Sequence, residues 1–118
     1  MSFAVEITVF PQYVRIVNRG EFSLTALFEF IETVKREADK AARNAVLVDS
    51  RGISGSIGEV DRFLGGQRSA EVFGARLRVA LLMPSGTVTK MAELAAANRG
   101  AKMIVTDSEE DALDWLLQ

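Results

Sequence analysis

Two short stretches, Ala45 to Val48 and Leu77 to Met83, are apolar at nearly every position, and neither alternates as a strand with one wet face would. Successive side chains leave a strand on opposite faces, so an unbroken apolar run has to be covered on both sides. Helices packed over a mostly parallel sheet provide that cover. Each run gives way to a polar, glycine-bearing loop and then to residues with helical spacing. The two runs are therefore expected side by side in the interior of one sheet.

The rest of the chain supplies the other elements. Phe3, Val5, Ile7 and Val9 alternate with smaller or polar residues, the period-2 pattern of a half-buried strand. Pro11-Gln12 suits a tight turn into a second strand from about Tyr13 to Arg19, with Val14 and Ile16 on one face. The pair reads as an antiparallel hairpin that Gly20 ends. Ser23 is placed to cap a helix running to about Arg43, whose stripe is Leu24, Leu27, Phe28, Ile31, Val34 and Ala38, with Phe30 at its margin. Ser56 and Glu59 have capping-box spacing ahead of a second helix. Gly65-Gly66 in its middle implies either close backbone packing or a local break, and Gly74 ends it. A helix from about Val88 to Arg99, a strand from Lys102 to Thr106 and a last helix capped by Asp107 complete the order β-β-α-β-α-β-α-β-α. Such alternation implies an α/β fold, with an N-terminal hairpin continuing into a mostly parallel sheet through right-handed crossovers.

Composition narrows the chemistry. At 118 residues the chain is expected to form a single domain over 1–118. It has no cysteine, which excludes disulfides and thiolate metal sites, and no histidine, which excludes Ser-His or Cys-His catalysis and His-ligated zinc. The net charge of −2 argues against nonspecific nucleic-acid binding. Arg36, Lys40 and Arg43 are diluted by Glu37 and Asp39 on what reads as a solvated helix face. No stretch has the roughly 20 apolar residues of a membrane span. The N-terminus does not read as a signal peptide, so the expected location is cytoplasmic.

The working surface is expected just past the strand at Ala45 to Val48, where α/β sheets handle ligands and partners. There the sequence runs Asp49-Ser-Arg-Gly-Ile-Ser-Gly-Ser-Ile-Gly58. The spacing of Gly52, Gly55 and Gly58 is not that of a dinucleotide loop, and the P-loop lysine is missing. Gly52-Ile-Ser54-Gly-Ser56 falls one glycine short of a nucleophile elbow, with no histidine to activate Ser54. Asp49 and Arg51 suit an ion pair at the strand end. Arg99-Gly100 reads first as a helix end, and Trp115 as core filling among Ala112 and Leu116.

Leu47-Val-Asp-Ser-Arg-Gly-Ile-Ser-Gly55, Ala95-Ala-Ala-Asn-Arg-Gly100 and Asp107-Ser-Glu-Glu-Asp-Ala-Leu-Asp-Trp-Leu116, in that order and spacing, resemble the SpoIIAA-like branch of the STAS/SEC14-like proteins. The resemblance spans nearly the whole chain. It implies a noncatalytic regulatory module that binds a protein partner, with no cofactor and no metal, and it admits a homodimer. Antagonists of the phosphorylation-switch type carry a serine at the start of the following helix. Counting from Asp49, that register holds Ile57-Gly58-Glu59, so the phosphoserine switch does not carry over. The expected partner surface combines Asp49 to Gly58 with the helix from Glu59 to Phe73. Its candidate binding residues are Asp49, Arg51, Ser54, Ser56 and Arg62, with Arg99 nearby. The SEC14-like side of the resemblance implies an alternative, a carrier of a small apolar or anionic ligand.

Overall fold

The computed structural model describes residues 2–118. In chain order they form β1 (Ala4–Val9), β2 (Val14–Glu21), α1 (Leu24–Ala41), β3 (Ala45–Ser54), α2 (Glu59–Phe73), β4 (Arg78–Leu82), α3 (Met91–Ala97), β5 (Lys102–Thr106) and α4 (Glu109–Leu116). The strands form one sheet in the order β1-β2-β3-β4-β5. Only the β1–β2 pairing is antiparallel. The two all-apolar runs are neighbours, with Val46 opposite Val79 and Val48 opposite Leu81. Three successive crossovers of one hand, each stepping one strand in the same direction, place α1, α2 and α3 together on one face. Val14, Ile16, Val46, Val48, Val79 and Val105 meet those helices, while Ala45, Leu47 and Ala80 meet α4 on the other.

Helix α1 starts where the sequence places it, because the Ser23 hydroxyl accepts from the Ala26 N–H at 3.1 Å. Phe30 is not marginal. It is buried, with its ring edge-on to Phe3 at 6.0 Å. The expected half-buried β1 is instead exposed along its whole length, Val5, Ile7 and Val9 included. Its apolar residues do share a face with Val14, Ile16 and Asn18, but β1 is the edge strand, beyond the cover of α1, and Phe3 alone tucks under.

Strand β2 does not stop at Gly20. Gly20 adopts φ +135°, a conformation that glycine tolerates, and pairs with Ile53. This extension corrects the largest sequence-based expectation. Asp49 to Ser54 is strand, not loop, because Val17 to Glu21 offers it a ladder. Ser50 and Arg51 together stand opposite the single residue Asn18, a β-bulge in β3. The bulge restores the phase, so Gly52 pairs with Arg19 on the α4 face and Ile53 turns toward α1 and α2.

Helix α2 also begins differently. Its N-cap is Gly58, with no side-chain cap, so Ser56 and Glu59 do not form a capping box. The chain is fixed there by the Arg62 side chain, whose Nε donates to the Ile57 carbonyl at 3.1 Å. Gly65-Gly66 does not break the helix. Both glycines are buried, Gly65 against Leu27 of α1 and Gly66 against Ala92 and Ala95 of α3, so they serve close packing. Helix α3 is shorter than expected, since residues 83–90 form an irregular loop tied by Thr87 to the Pro84 carbonyl. The cap of α4 is Ser108, which accepts from Asp111, rather than Asp107. Trp115 is half-buried at the margin, under the Arg78 guanidinium at 4.2 Å, rather than in the core.

Candidate functional site

The carboxyl ends of β3 and β4 open between two loops, 55–58 and 83–90. Between them runs a surface groove of about 400 Å3, bordered by Ile53, Ser56, Ile57, Pro84 and Thr87. Beneath its floor, between the sheet and helices α1 and α2, is an apolar cavity of about 100 Å3. Ile53, Ile57, Arg62, Met83 and Thr89 border both spaces. The groove and the cavity therefore adjoin, with these five residues between them.

The inner wall is apolar, from Leu27, Val34, Val48 and Phe73, with a few buried polar groups. Ser50 donates to the Asn18 side-chain carbonyl at 2.6 Å, and both residues are buried. Ser69 of α2 is buried on the opposite wall. The Thr89 hydroxyl is buried without a hydrogen-bond partner. An unpaired buried hydroxyl costs about 1–3 kcal/mol, which makes its place at the neck of the cavity notable. Arg62 is held by the Ile57 carbonyl and approaches Glu59 at 3.5 Å, and its side chain is only 12% exposed. Among the described residues, neither of its terminal Nη groups has a hydrogen-bond partner.

The six residues proposed from sequence do not form one site. Ser56 and Arg62 border the groove. Ser54 ends β3 nearby, exposed, with its hydroxyl 3.4 Å from the Gly20 carbonyl. Asp49 and Arg51 lie on the opposite face of the sheet. Arg51 grips Asp49 with two guanidinium hydrogen bonds, at 3.0 and 2.9 Å, and with its backbone N–H at 3.1 Å, and Arg15 adds a fourth at 2.7 Å. Both arginines also reach Glu109 at the start of α4, at 3.1–3.2 Å. The Arg51 hydrogen bond chiefly, with further help from the Arg51 and Arg15 charges, holds the Asp49 carboxyl below its usual range against the opposing effect of burial. Asp49 in turn raises the affinity of Arg51 for its proton. This balanced quartet fastens α4 to β2 and β3. Arg99 occupies a third place, over the Phe63 ring at 5.6 Å, and also bonds the Ala95 carbonyl.

Asn18, Ser50, Ser69, Thr89, Arg15 and Glu109 were not singled out by the sequence. A signal existed for Asn18, which falls on the inward period set by Val14 and Ile16. The others meet through tertiary structure alone. Among the described residues no group of three or more acidic, cysteine or histidine side chains is placed to hold a metal ion. Likewise no helix is long and apolar enough to cross a membrane.

The architecture is that of the SpoIIAA-like fold. An anti-sigma factor antagonist from Mycobacterium paratuberculosis superposes with a TM-score of 0.62 at 15% identity, over 99% of this chain and 96% of that one. The unphosphorylated anti-sigma factor antagonist SpoIIAA matches with a TM-score of 0.52 at 25% identity, over 96% and 94%. An uncharacterised protein of SpoIIAA-like fold from Shewanella loihica matches at 0.55 and 18%, over 98% and 94%. No protein-family model and no curated protein matches the chain.

Proposed function

We propose that this protein is a noncatalytic regulatory module of the STAS type that binds a protein partner through α2, α3 and the loop ahead of α2. The observation that carries the reading is the exposure of large apolar side chains on those two packed helices. Val60 is 71% exposed, Leu94 is 56% exposed, and Phe63, one turn from Val60, is partly exposed beneath the Arg99 guanidinium. Surface apolar residues grouped and flanked by charge suit a partner interface. The likeness to anti-sigma factor antagonists supports a partner of the anti-sigma factor class.

The surface is narrower than the sequence suggests, because Asp49 and Arg51 are spent on α4. It consists of loop 55–58, with Ser56 and Ser54 at its edge, and the outer face of α2 with Arg62 and Arg99 beside it. The absence of the phosphoserine switch belongs to the same proposal, and it is supported by Gly58 standing as the α2 N-cap. Without cysteine or histidine, and with Ser54 bonded only to a backbone carbonyl, no activated nucleophile is assembled there.

The test is binding to each anti-sigma factor encoded in the organism of origin, measured by calorimetry with purified proteins. One factor is expected to bind the wild-type chain, and Val60→Asp with Phe63→Ser is expected to abolish that binding while leaving the fold intact. If no factor binds, or if the double variant binds as tightly as wild type, the reading is wrong. Phosphopeptide analysis of protein from its own cells tests the switch: stoichiometric phosphate on Ser54 or Ser56 would overturn that part.

A further inference from the structure

We propose that the cavity and groove together bind a small amphiphilic carboxylate, with its apolar end inside and its charged head at Arg62. This site adjoins the proposed protein surface and shares Ser56 and Arg62 with it, but not Val60, Phe63 or Leu94. Three observations converge on it. The cavity is predominantly apolar, and at about 100 Å3 it has roughly two thirds of the volume that admits benzene in an engineered protein cavity. That is room for about four carbons of a chain. The adjoining groove of about 400 Å3, which shares five lining residues with it, has room for the remainder of the molecule.

The second observation is the guanidinium at the junction. Arg62 borders both spaces and is nearly buried, yet the protein satisfies only its Nε, through Ile57 and Glu59. A planar guanidinium with free terminal N–H groups is matched to a carboxylate, which accepts two parallel hydrogen bonds. The third is Thr89, at the same junction, whose buried hydroxyl lacks a partner. A carboxylate oxygen held by Arg62 would supply one. An apolar chain alone would leave the Thr89 hydroxyl without a partner, and an amine head would meet the Arg62 charge. The bound species is thus an anion with a short unbranched or singly branched tail.

The test uses the intact chain and straight-chain carboxylates from butyrate to decanoate, with octylamine and 1-octanol as comparators, by calorimetry and amide chemical-shift mapping. Octanoate is expected to bind saturably with Kd below about 1 mM. Each methylene added between butyrate and octanoate is expected to tighten binding about fourfold, flattening once the cavity is full. Shifts should concentrate at Ser50, Ile57, Ser69 and Thr89. Arg62→Gln should weaken octanoate at least about fivefold, the effect of losing one charged hydrogen-bonding group, and leave 1-octanol unchanged. Ser69→Leu, which fills the cavity, should abolish both. If that variant fails to fold, Arg62→Gln and the shift map still decide. Absence of saturable octanoate binding, equal binding of octylamine, or an unchanged Arg62→Gln variant would overturn the proposal. Phosphatidylglycerol vesicles present an anionic head on a bilayer; cosedimentation with them, without octanoate binding, would overturn the soluble-ligand assignment. Because no partner protein is present, failure here leaves the α2–α3 interface untouched.

Discussion

Adding one methyl group to Gly66 tests how α2 is seated. A Cβ on Gly66 would fall well inside contact distance of the Ala92 carbonyl oxygen and 2.8 Å from the Ala95 Cβ. Both obstacles belong to α3, a seven-residue helix that has no freedom to move one carbonyl alone. Alanine would improve helix propensity by about 1 kcal/mol. Overpacking against backbone costs about 3 kcal/mol, the upper end of the usual range. The net loss is therefore about 2 kcal/mol, or a fall in Tm of about 8 °C for a chain of this size. Gly65→Ala is the control. Its Cβ would meet the Leu27 Cδ2 at 2.9 Å, the far end of a half-buried side chain that can rotate away. There the propensity gain roughly cancels the strain, and stability should stay within about 0.5 kcal/mol of wild type. Urea unfolding followed by far-UV circular dichroism measures both variants. A Gly66→Ala protein as stable as wild type, or a less stable Gly65→Ala, would refute the account of α2 packed backbone to backbone on α3.

Asp49→Asn should cost about 2 kcal/mol at pH 7, since it removes a charged acceptor shared by two arginines. The Asp49 carboxyl titrates lower when folded than when unfolded, so its contribution is complete above the unfolded pKa of 3.8 and fades as pH falls through the folded value. The gap between wild-type and Asp49→Asn urea midpoints should accordingly close on acidification; a constant gap from pH 7 to below pH 3 would contradict the ion-pair reading. Val79→Asp places a charge at a β4 position 2% exposed, a change worth several kcal/mol, and should leave the chain unfolded by circular dichroism. A cooperative melt near the wild-type Tm would disprove the interior placement of β4. Arg78→Ala should red-shift Trp115 emission by uncovering its half-buried ring to water, and an unchanged spectrum would argue against that stacking.

The framework was legible because burial leaves a periodic trace. Val46 and Val79 lie in unbroken apolar runs, and only a strand covered on both faces reads that way. Ser23 likewise announced α1, because its cap is made within four residues. The alternation of Val5, Ile7 and Val9 was read as burial and was not, since pattern reveals a face but not whether a helix reaches it. The extent of β3 was hidden for a related reason. Asp49, Ser50 and Arg51 are poor strand formers on their own, and the partners that keep them extended, Arg15, Asn18 and Glu109, are 32 to 58 positions away. The candidate site was half visible. Ser56 and Arg62 flank the helix start that the sequence located approximately. Thr89 and Ser69 reach the cavity only through the stacking of α2 and α3 on the sheet, and nothing in their local sequence marks them.

The bulge opposite Asn18 has a consequence for how β3 tolerates insertion and deletion. A strand is read in twos, like a frame, and losing one residue normally inverts every side chain that follows. Ser50 and Arg51 already contain one residue too many, and the fold absorbs it without transmitting the error to Gly52, Ile53 and Ser54. Deleting Arg51 would therefore leave a regular ladder in which Ile53 still faces the cavity and Gly52 still faces Arg19. The loss would be confined to the charge quartet. Deleting Val48 instead would send Leu47 and Asp49 to opposite faces and bring a carboxylate under α1. Length changes along β3 are thus confined to the bulge, where the frame is already broken and repaired.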